Sequence, residues 1–406
     1  MSGILSYILG GGNRVQAIPV PSVEVHHVET DPDRRARSLK HLLKANHVNY
    51  SLVSSQIRYD NQNAPFLSSA YLLGATPNQL HEIYETQASE SKLEAWTPSP
   101  AELMDSDWAD FLGDKQYQRA YLDYFEDKLA MDYAYDWKKA VEHYLFSCEK
   151  PLVHGLISGL GHALIQLGLA YEMDSKEIAM EALALTSVQH DFLYDYSSDT
   201  SFTKKSSISS SDSIFDLLDL MSKDDELDSL PGSRGFGDLE LIFKENEEVV
   251  MKYWNAWDLS DPLTAFKESQ QAAVALLVTA VDPARKDYNV FLLHLLTTSH
   301  AIRTLLFFFP VRYHINLVRQ WWLLVIALYI VRGRPCLISA NVDENPDERD
   351  WKWVQHTALT SSFSKDAHFL QGLRAMRDLA CTWGDDDKYY LRAATTFLDN
   401  FRGWHH

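Results

Sequence analysis

Residues 153–171 read VHGLISGLGHALIQLGLAY, and residues 317–331 read LVRQWWLLVIALYIV. Apolar side chains occupy most of the circumference of both stretches, a pattern typical of helices that are surrounded by protein. We therefore expect these two helices to run through the middle of the molecule. Along most of the remaining chain, apolar residues recur every three or four positions, which predicts amphipathic helices packed around that centre.

Proline and capping residues mark where several of the outer helices begin. Thr76-Pro77, Asp261-Pro262 and Asn345-Pro346 each place a capping side chain before a proline at the first helical position. Further helices are expected over about 116–148, 152–172, 175–194, 236–257, 262–281, 286–308, 311–332, 347–362, 366–383 and 386–402. Strand-like alternation is scarce. The expected fold class is all-α, a single large bundle-like domain with an internal cavity.

Two segments depart from the helical pattern. Residues 1–33 form an N-terminal extension, and the all-α domain covers residues 34–403. Within it, residues 197–213 read SSDTSFTKKSSISSSDS, and polar residues continue to about 237. Such a composition buries too little apolar surface to order itself, so we expect a flexible Ser/Asp-rich insertion over about 197–237. Ile214–Met221 is a short amphipathic stretch inside it, and a lid over a pocket is the alternative interpretation.

The charge of the chain excludes several classes of partner. Its 406 residues include 37 basic and 56 acidic side chains, which gives a formal net charge of -19. This acidic field repels phosphate groups, so nucleic acid and membrane surfaces are not expected to bind. No secretory leader is recognisable, and the longest uncharged apolar stretch, Trp321–Val331, is shorter than the roughly 20 residues that span a bilayer. We expect a cytoplasmic protein and leave its oligomeric state open.

Known catalytic and cofactor motifs are scarce in the sequence. Three cysteines lie far apart without a CxxC motif, which argues against disulfides and a structural zinc site. Gly155, Gly159 and Gly161 follow no predicted strand, so they do not indicate a dinucleotide site. Those glycines instead suit close packing of helices or the approach of a flat ligand.

Histidines within apolar helices are the more informative residues. A buried imidazole needs a hydrogen-bond partner, so each of these histidines marks a polar point in the core. Any one of them alone is more often a hydrogen-bonded structural histidine than a catalytic one. Polar partners follow three of them about one turn later, in the pairs His162–Gln166, His294–Thr298 and His368–Gln371. Three such pairs predict one shared polar-lined cavity. No two histidines are spaced for metal binding on a single helix, so a metal would need ligands from separate helices.

Five stretches of the chain, between about residues 40 and 380, carry a resemblance to a known family. They are NHVNYSLV (46–53), YDNQNAPFLSSAYLLGATPNQLHEIYE (59–85), GLISGLGHALIQLGLAYEM (155–173), FLLHLLTTSHAIRTLL (291–306) and KDAHFLQGLRAM (365–376). With these the chain resembles the questin oxidase-like family of fungal polyketide pathways. The resemblance implies an oxidoreductase that opens the ring of anthraquinones and related polycyclic phenols.

The chain departs from the family at the positions that bind iron in some relatives. Relatives commonly have NHxxH where this chain reads Asn61-Gln62-Asn63-Ala64-Pro65, a further histidine in place of Gln166, and a lysine in place of Gln371. A glutamine amide is a poor ligand for transition metals beside imidazole. We therefore predict a metal-free and flavin-free site, with dioxygen as cosubstrate and the reduced substrate as the source of electrons.

The resemblance implies a Baeyer-Villiger-type reaction on an emodin- or chrysophanol-like hydroquinone. Oxygen would be inserted next to a quinone carbonyl, giving a lactone and then a benzophenone carboxylic acid. The residues expected to act in catalysis are a base, His294 or His368, groups that orient oxygen, His162 and Gln166, and groups that hydrogen-bond the carbonyl or oxyanion, Asn61 and Gln371. The residues expected to contact substrate are Asp60, His47, Thr298 and His300.

Two other functions remain open at this point. The first is an iron-dependent ring-cleaving dioxygenase for the same substrates, with His162, His294 and His368 as ligands and His47 or His300 as a further one. The second is a non-catalytic helical carrier of polyketides. Iron in the purified protein would favour the former, and ligand binding without oxygen consumption would favour the latter.

Overall fold

The fold follows from a computed structural model, which describes residues 16–54, 60–89, 93–227, 239–280, 287–335, 337 and 349–405. Over these residues the chain is helical with almost no strand, so the predicted all-α class is confirmed. The helices are α1 (Arg34–Asn49), α2 (Asn63–Leu72), α3 (Pro77–Ser89), α4 (Gln118–Met131), α5 (Trp137–Glu142), α6 (His162–Met173), α7 (Lys176–Val188), α8 (Leu193–Ser198), α9 (Ile214–Ser222), α10 (Leu239–Trp254), α11 (Pro262–Thr279), α12 (Val290–Phe308), α13 (His314–Val331), α14 (Trp351–Thr360), α15 (Ala367–Trp383) and α16 (Tyr389–Asn400). Two short strands, β1 (Tyr288–Asn289) and β2 (Trp404–His405), pair in parallel.

The two apolar helices predicted from the sequence lie in the core. Every residue of α6 after His162 is buried, and so is every residue of Leu317–Val331 except Arg319. Two stretches, Val290–Phe308 and Val311–Val331, are long and apolar enough to cross a membrane, but 89% and 83% of them are buried inside the protein. Such burial is typical of core helices.

Local turns divide two of the predicted long helices. The helix expected over 116–148 breaks between α4 and α5, where Ala134 and Tyr135 have positive φ angles. The helix expected over 152–172 breaks at Gly159–Gly161, where three successive residues have left-handed backbone angles. Periodicity alone does not reveal such breaks, because the apolar pattern continues across them.

The predicted insertion at 197–237 is folded over its described part, residues 197–227. Its amphipathic stretch forms α9, and the core-facing side chains of that helix, Ile214, Leu217, Leu218 and Met221, are fully buried. Backbone oxygens of Leu218 and Met221 accept hydrogen bonds from Tyr329 and Arg334. These contacts anchor the segment to the body of the protein, and residues 228–237 lie outside the described part.

The N-terminal extension is described from residue 16 and packs against the helical domain. The backbone N–H of Ile18 donates to His314 Nδ1 at 3.1 Å, and that of His26 donates to the carbonyl of Glu172 at 2.7 Å. Asp33 caps the first turn of α1 through its side chain. The extension therefore continues into the domain without a break in packing.

Four helices that run in the same direction frame the interior. Near the start of α2, Gln62 bonds Gln371 of α15, and at its end the carbonyl of Leu72 accepts from Arg377. Side chains of α6, α12 and α15 also meet in matching order along their lengths. The N-termini of all four helices consequently converge at one end of this group, and the histidines lie there.

Candidate active site

His162, His294 and His368 form a cluster at the convergent helix ends. The ring centroids of His162 and His294 are 4.7 Å apart, and those of His294 and His368 are 5.6 Å apart, with rings nearly perpendicular in both pairs. His162 begins α6, His294 lies in the first turns of α12, and His368 is the second residue of α15. The sequence spacing thus singled out three histidines that the fold brings together.

His294, in the centre of the cluster, is held as a neutral base. It is fully enclosed, while His162 and His368 are partly exposed on either side. Burial lowers the pKa of His294 well below its usual value, and the adjacent imidazoles lower it further. Its Nδ1 has no hydrogen-bond partner among the described side chains and backbone groups. A neutral imidazole with a free ring nitrogen can accept a proton from a bound phenol.

A strained turn positions His162. Gly159, Leu160 and Gly161 all have left-handed backbone angles, and for Leu160 that conformation costs about 1–2 kcal/mol. A Cβ at Gly161 would lie 2.5 Å from Cγ2 of Thr298, so only glycine permits this approach of α6 to α12. Thr298 itself donates its hydroxyl to the carbonyl of His294 at 2.5 Å, a bond within its own helix. Strain of this kind is common where a side chain must be held in place.

Asp60 and Gln189 support His162 from the outside. Oδ2 of Asp60 contacts Nδ1 of His162, and the amide of Gln189 donates to the same carboxylate oxygen at 2.7 Å. A Cβ at Gly159 would overlap the side chain of Gln189, so this glycine makes room for the amide. Asp60, which was expected to contact substrate, contacts a catalytic candidate. Gln189 was not predicted, because it follows the last turn of α7, and the three histidines of the cluster lie elsewhere in the sequence.

Asn61 is engaged in holding the loop before α2. Its amide donates to Asn46 Oδ1 and to the carbonyl of Ser51, both at 3.1 Å, and its Oδ1 accepts from the backbone of Asn63. This full set of bonds leaves the side chain little capacity for a substrate oxygen. Gln371 bonds Gln62 at 3.3 Å and remains close to the interior.

The C-terminal segment covers the cluster on the side of His368. The indole of Trp404 lies 6.0 Å from the His368 ring, and its Nε1–H donates to Asp366 at 3.0 Å. Asp366 also caps α15 by accepting from the backbone of Phe369. No sequence motif marked Trp404, since its partner strand is more than a hundred residues away.

A small cavity lies one helical turn deeper than the cluster. About 20 Å³ is available in it to water-sized molecules, which is enough for one water and far too little for three fused rings. Ile165, Thr297 and Gln371 line it, and each is three residues after a histidine of the cluster. Gln166, by contrast, does not line this cavity, although it is buried and its Oε1 has no partner in the described structure.

A charged cluster forms the far side of the cavity. Nε2 of His300 lies 3.7 Å from Glu172 and 3.5 Å from Asp378. Arg374 bridges the two carboxylates at 2.5 and 2.6 Å. Burial lowers the pKa of His300 well below its usual value, and Arg374 lowers it further, so this imidazole is neutral too.

His47 lies in a separate site between α1, α4 and α7. Its Nδ1 is 2.9 Å from Glu181, and its Nε2 is 2.8 Å from Glu126. Burial alone would lower the pKa of His47, but the two carboxylates outweigh it and raise the pKa to about 10. This histidine is a structural cation, and the structure does not bring it to the cluster.

A surface groove lies away from the cluster of His162, His294 and His368. It encloses about 820 Å³ between residues 98–105 and α4, and seven of its fifteen lining residues are charged. Glu126, the partner of His47, is part of its wall. The groove contains none of the residues predicted to act in catalysis.

A metal site requires several ligand atoms close to one point. Within the described chain, the three metal-ligating side chains whose ligand atoms lie within 4.8 Å of one another are Glu172, His300 and Asp378. Arg374 already forms ion pairs with both of those carboxylates. Nitrogen ligands at about 2.1 Å from one ion lie within about 4.2 Å of one another. The three imidazoles of the cluster do not form a group whose ligand atoms all lie within 4.8 Å of one another. Neither arrangement is a preformed metal site.

Comparison with known proteins places this architecture in a family. The Questin oxidase-like family matches residues 59–376, which is most of the chain. The Baeyer-Villiger monooxygenase AacuH of Aspergillus aculeatus is 24% identical over 374 residues, covering 83% of this chain and 77% of the relative. The Baeyer-Villiger oxidase mdpL of Emericella nidulans is 28% identical over 178 residues, covering 42% of this chain and only 39% of that relative.

The chain belongs to the Questin oxidase-like family, and the resemblance seen in its sequence is confirmed. It is an oxidoreductase, a Baeyer-Villiger-type oxidase. The matched region contains all three histidines of the cluster together with Asp60, Gln189 and the residues that line the cavity.

Proposed function

We propose that this protein is a cofactor-free Baeyer-Villiger-type monooxygenase that opens the ring of a reduced anthraquinone with dioxygen. The neutral, enclosed His294 between two further imidazoles carries the proposal. A hydroquinone is an electron-rich phenol, and once deprotonated it can reduce dioxygen itself. The protein then needs to supply a base, a positive environment and limited access of water.

In the first step the base removes a phenolic proton. His294 is suited to this role because its lowered pKa keeps the imidazole unprotonated at neutral pH. Four helix N-termini converge nearby, and each carries a partial positive charge of roughly half a unit. They stabilise the phenolate and the oxyanions that follow from it.

Oxygen insertion then proceeds with a complete balance of atoms and electrons. The deprotonated oxygen becomes a ketone carbonyl as dioxygen adds at the opposite ring carbon, which bears the second hydroxyl, and the peroxide takes up the proton. That carbon then carries both a hydroxyl and a hydroperoxide. An aryl group migrates from this carbon to the nearer peroxide oxygen, the O–O bond breaks, and the other oxygen leaves as water. The two electrons stored in the hydroquinone are thereby used, and the product is a ring-expanded lactone.

His162 and His368 serve as acids around the developing peroxide. Both are partly exposed, unlike His294, so the substrate ring is expected to lie on the outer side of the cluster, where Trp404 offers an aromatic surface. Asp60, supported by Gln189, fixes the orientation of the His162 ring. A carboxylate in this position also stabilises a protonated imidazole.

The test is oxygen uptake by EDTA-treated, metal-assayed protein that is given a chemically reduced emodin-like anthraquinone. We expect uptake of one dioxygen per substrate and a product heavier by one oxygen atom than the quinone, or by a further water after hydrolysis. His294→Gln should lower the rate about 100-fold or more, in the range of general-base catalysis. His41→Gln, an exposed histidine on α1, is the control.

Other outcomes would contradict the proposal. Uptake that appears only after iron is restored would indicate the iron-dependent dioxygenase. Tight binding of the anthraquinone with no uptake under any condition would indicate a carrier. Equal rates in the His294→Gln variant and the parent would remove the proposed base.

A further inference from the structure

The loop between α7 and α8 holds the surroundings of both His162 and Asp60. At its start Gln189 donates an amide N–H to the carboxylate of Asp60 at 2.7 Å. Two residues later Asp191 lies beside the turn that leads into His162, where its Oδ1 accepts the hydroxyl of Ser158 at 2.7 Å. One short loop therefore contacts the carboxylate directly and the imidazole through the turn that carries it.

Ser158 is the residue at which the left-handed turn before α6 begins. Its side chain is fully buried, and its carbonyl accepts from the backbone N–H of Gly161 at 3.1 Å, which closes the turn directly before His162. Leu160, inside the turn, has a φ of +63°. This conformation is unfavourable for leucine, so it persists only where surrounding contacts hold it. The bond from Ser158 to Asp191 is such a contact.

Asp191 is itself fixed within its loop. The Oδ1 that accepts from Ser158 also accepts the backbone N–H of Leu193 at 2.9 Å, in the local side-chain turn that aspartate commonly forms. The backbone carbonyl of Asp191 accepts from Tyr194 at 3.1 Å. Burial raises the pKa of the Asp191 carboxyl above its ordinary value, so its negative charge is disfavoured there. Its contribution is that of a hydrogen-bond acceptor, which a neutral amide can also supply.

We propose that Ser158 and Asp191 are positioning residues for the oxidation, which hold the turn before α6 so that His162 meets Asp60. The inference rests on the proposed function, in which His162 is an acid beside the developing peroxide. Because the same loop also holds Asp60 through Gln189, it sets both sides of this contact before substrate binds. A displacement of about 1 Å at such a group lowers a rate by about 100-fold. Neither Ser158 nor Asp191 exchanges a proton with the substrate.

The experiment compares variants that remove the bond with one that keeps it. Asp191→Ala and Ser158→Ala each remove one partner, whereas Asp191→Asn retains an oxygen that can accept from both Ser158 and Leu193. Ser269→Ala is the matched control, because Ser269 is equally buried and its hydroxyl donates within its own helix, to the carbonyl of Phe266. The kcat and KM of oxygen uptake are measured with the reduced anthraquinone, and thermal unfolding is recorded for every variant.

We expect kcat to fall about 10-fold or more in Asp191→Ala and Ser158→Ala, with KM within about twofold, because the acid is displaced while the substrate surface remains. Asp191→Asn and Ser269→Ala should stay within about threefold of the parent. In an Asp60→Asn background, Asp191→Ala should lower kcat by less than about twofold, since the contact that it positions is already weakened. A general loss of stability would lower kcat equally in both backgrounds.

A second readout separates this inference from the proposed oxidation. Histidine-selective isotope labelling gives the NMR signal of the His162 ring, assigned by its absence from His162→Gln. The signal should move in Asp191→Ala and Ser158→Ala, and stay in place in Asp191→Asn and Ser269→Ala.

Three results would overturn the positioning role. They are an unmoved His162 signal or a parental kcat in Ser158→Ala, equal losses in Asp191→Asn and Asp191→Ala, and an equal effect of Asp191→Ala with and without Asp60→Asn. Absence of oxygen uptake by the parent would instead refute the proposed oxidation, and the His162 signal would still report on the turn.

Discussion

Buried histidines in this protein have opposite charge states because their neighbours differ. His47 contacts two carboxylates, so its pKa is raised to about 10 and the ring is a cation at neutral pH. His294 is enclosed beside two other imidazoles, which lowers its pKa well below the usual value and keeps it neutral. Residue type alone therefore does not decide which histidine is structural and which can act as a base.

The first prediction concerns the contribution of His47 to stability. Its pKa is higher in the folded protein than the usual value of 6.5, so the stability it contributes is complete below about pH 6.5 and is lost as the pH rises toward 10. His47→Gln should lower the free energy of unfolding by about 3–5 kcal/mol at pH 6.5, because Glu126 and Glu181 lose their cation. Urea unfolding of both proteins at pH 6.5 and pH 10 measures this difference.

The difference between parent and variant is the informative quantity, since tyrosines and lysines also titrate near pH 10. We expect the difference to shrink at pH 10. His41→Gln, on the exposed face of the same helix, should match the parent at both values. A difference that does not change with pH would mean that His47 is held in its neutral form.

Sequence reasoning identified the cluster but not the residues that support it. His162, His294 and His368 stood out because each interrupts an apolar helix, and a buried polar side chain requires a hydrogen-bond partner. Gln189 and Trp404 gave no such signal, because glutamine after a helix and tryptophan near a terminus are common. Their roles come from tertiary contacts between segments far apart in the chain.

At the scale of elements, the left-handed turn before α6 controls how the cluster is assembled. The second prediction is that Gly161→Ala lowers stability, because its φ of +75° is unfavourable for alanine and its Cβ would lie 2.5 Å from Cγ2 of Thr298. Gly74→Ala is the matched control, since Gly74 has a φ of +102° with nothing within 4 Å of the added Cβ. The control should lose about 1–2 kcal/mol, the backbone cost alone.

Gly161→Ala should lose more than that control, and the excess should fall in the double variant Gly161→Ala/Thr298→Ser. Serine removes the obstructing methyl group and retains the hydroxyl that bonds His294. Thermal unfolding and oxygen uptake of the three variants and of Thr298→Ser alone measure the effect. Equal losses for Gly161→Ala and Gly74→Ala would show that the contact with Thr298 adds nothing.

The same turn explains why helix boundaries were harder to predict than helix content. The apolar period runs without interruption from residue 152 to 172, so the sequence indicated one helix. Glycine at 159 and 161 allows the chain to adopt left-handed angles, and the tight contacts with Gln189 and Thr298 determine that it does. Both contacts join this turn to distant elements, so no local pattern records them.

At the scale of the whole molecule, the group of four parallel helices carries imidazoles at one end and charged side chains further along its length. The cluster of three imidazoles lies at the helix N-termini, where anions are stabilised. About two turns further along, Arg374 and its carboxylates tie α6 to α15, and Arg377 ties α15 to α2 through the carbonyl of Leu72. The apolar pattern predicted that these helices are central, but it gave no information on their common direction.

This charged cluster leads to the last prediction, on the stability of the whole domain. Arg374→Met keeps an unbranched stem but removes the guanidinium, which leaves Glu172 and Asp378 without their bridging cation in a buried site. Removing one partner of a buried ion pair costs about 3–5 kcal/mol, so we expect a loss of that size in the free energy of unfolding. Urea unfolding measures it, with Glu172→Gln and the double variant completing a cycle. The double variant should be less destabilised than the sum of the single losses, because neutral glutamine no longer needs the guanidinium. Strictly additive losses would mean that Arg374 stabilises the helix group through packing alone.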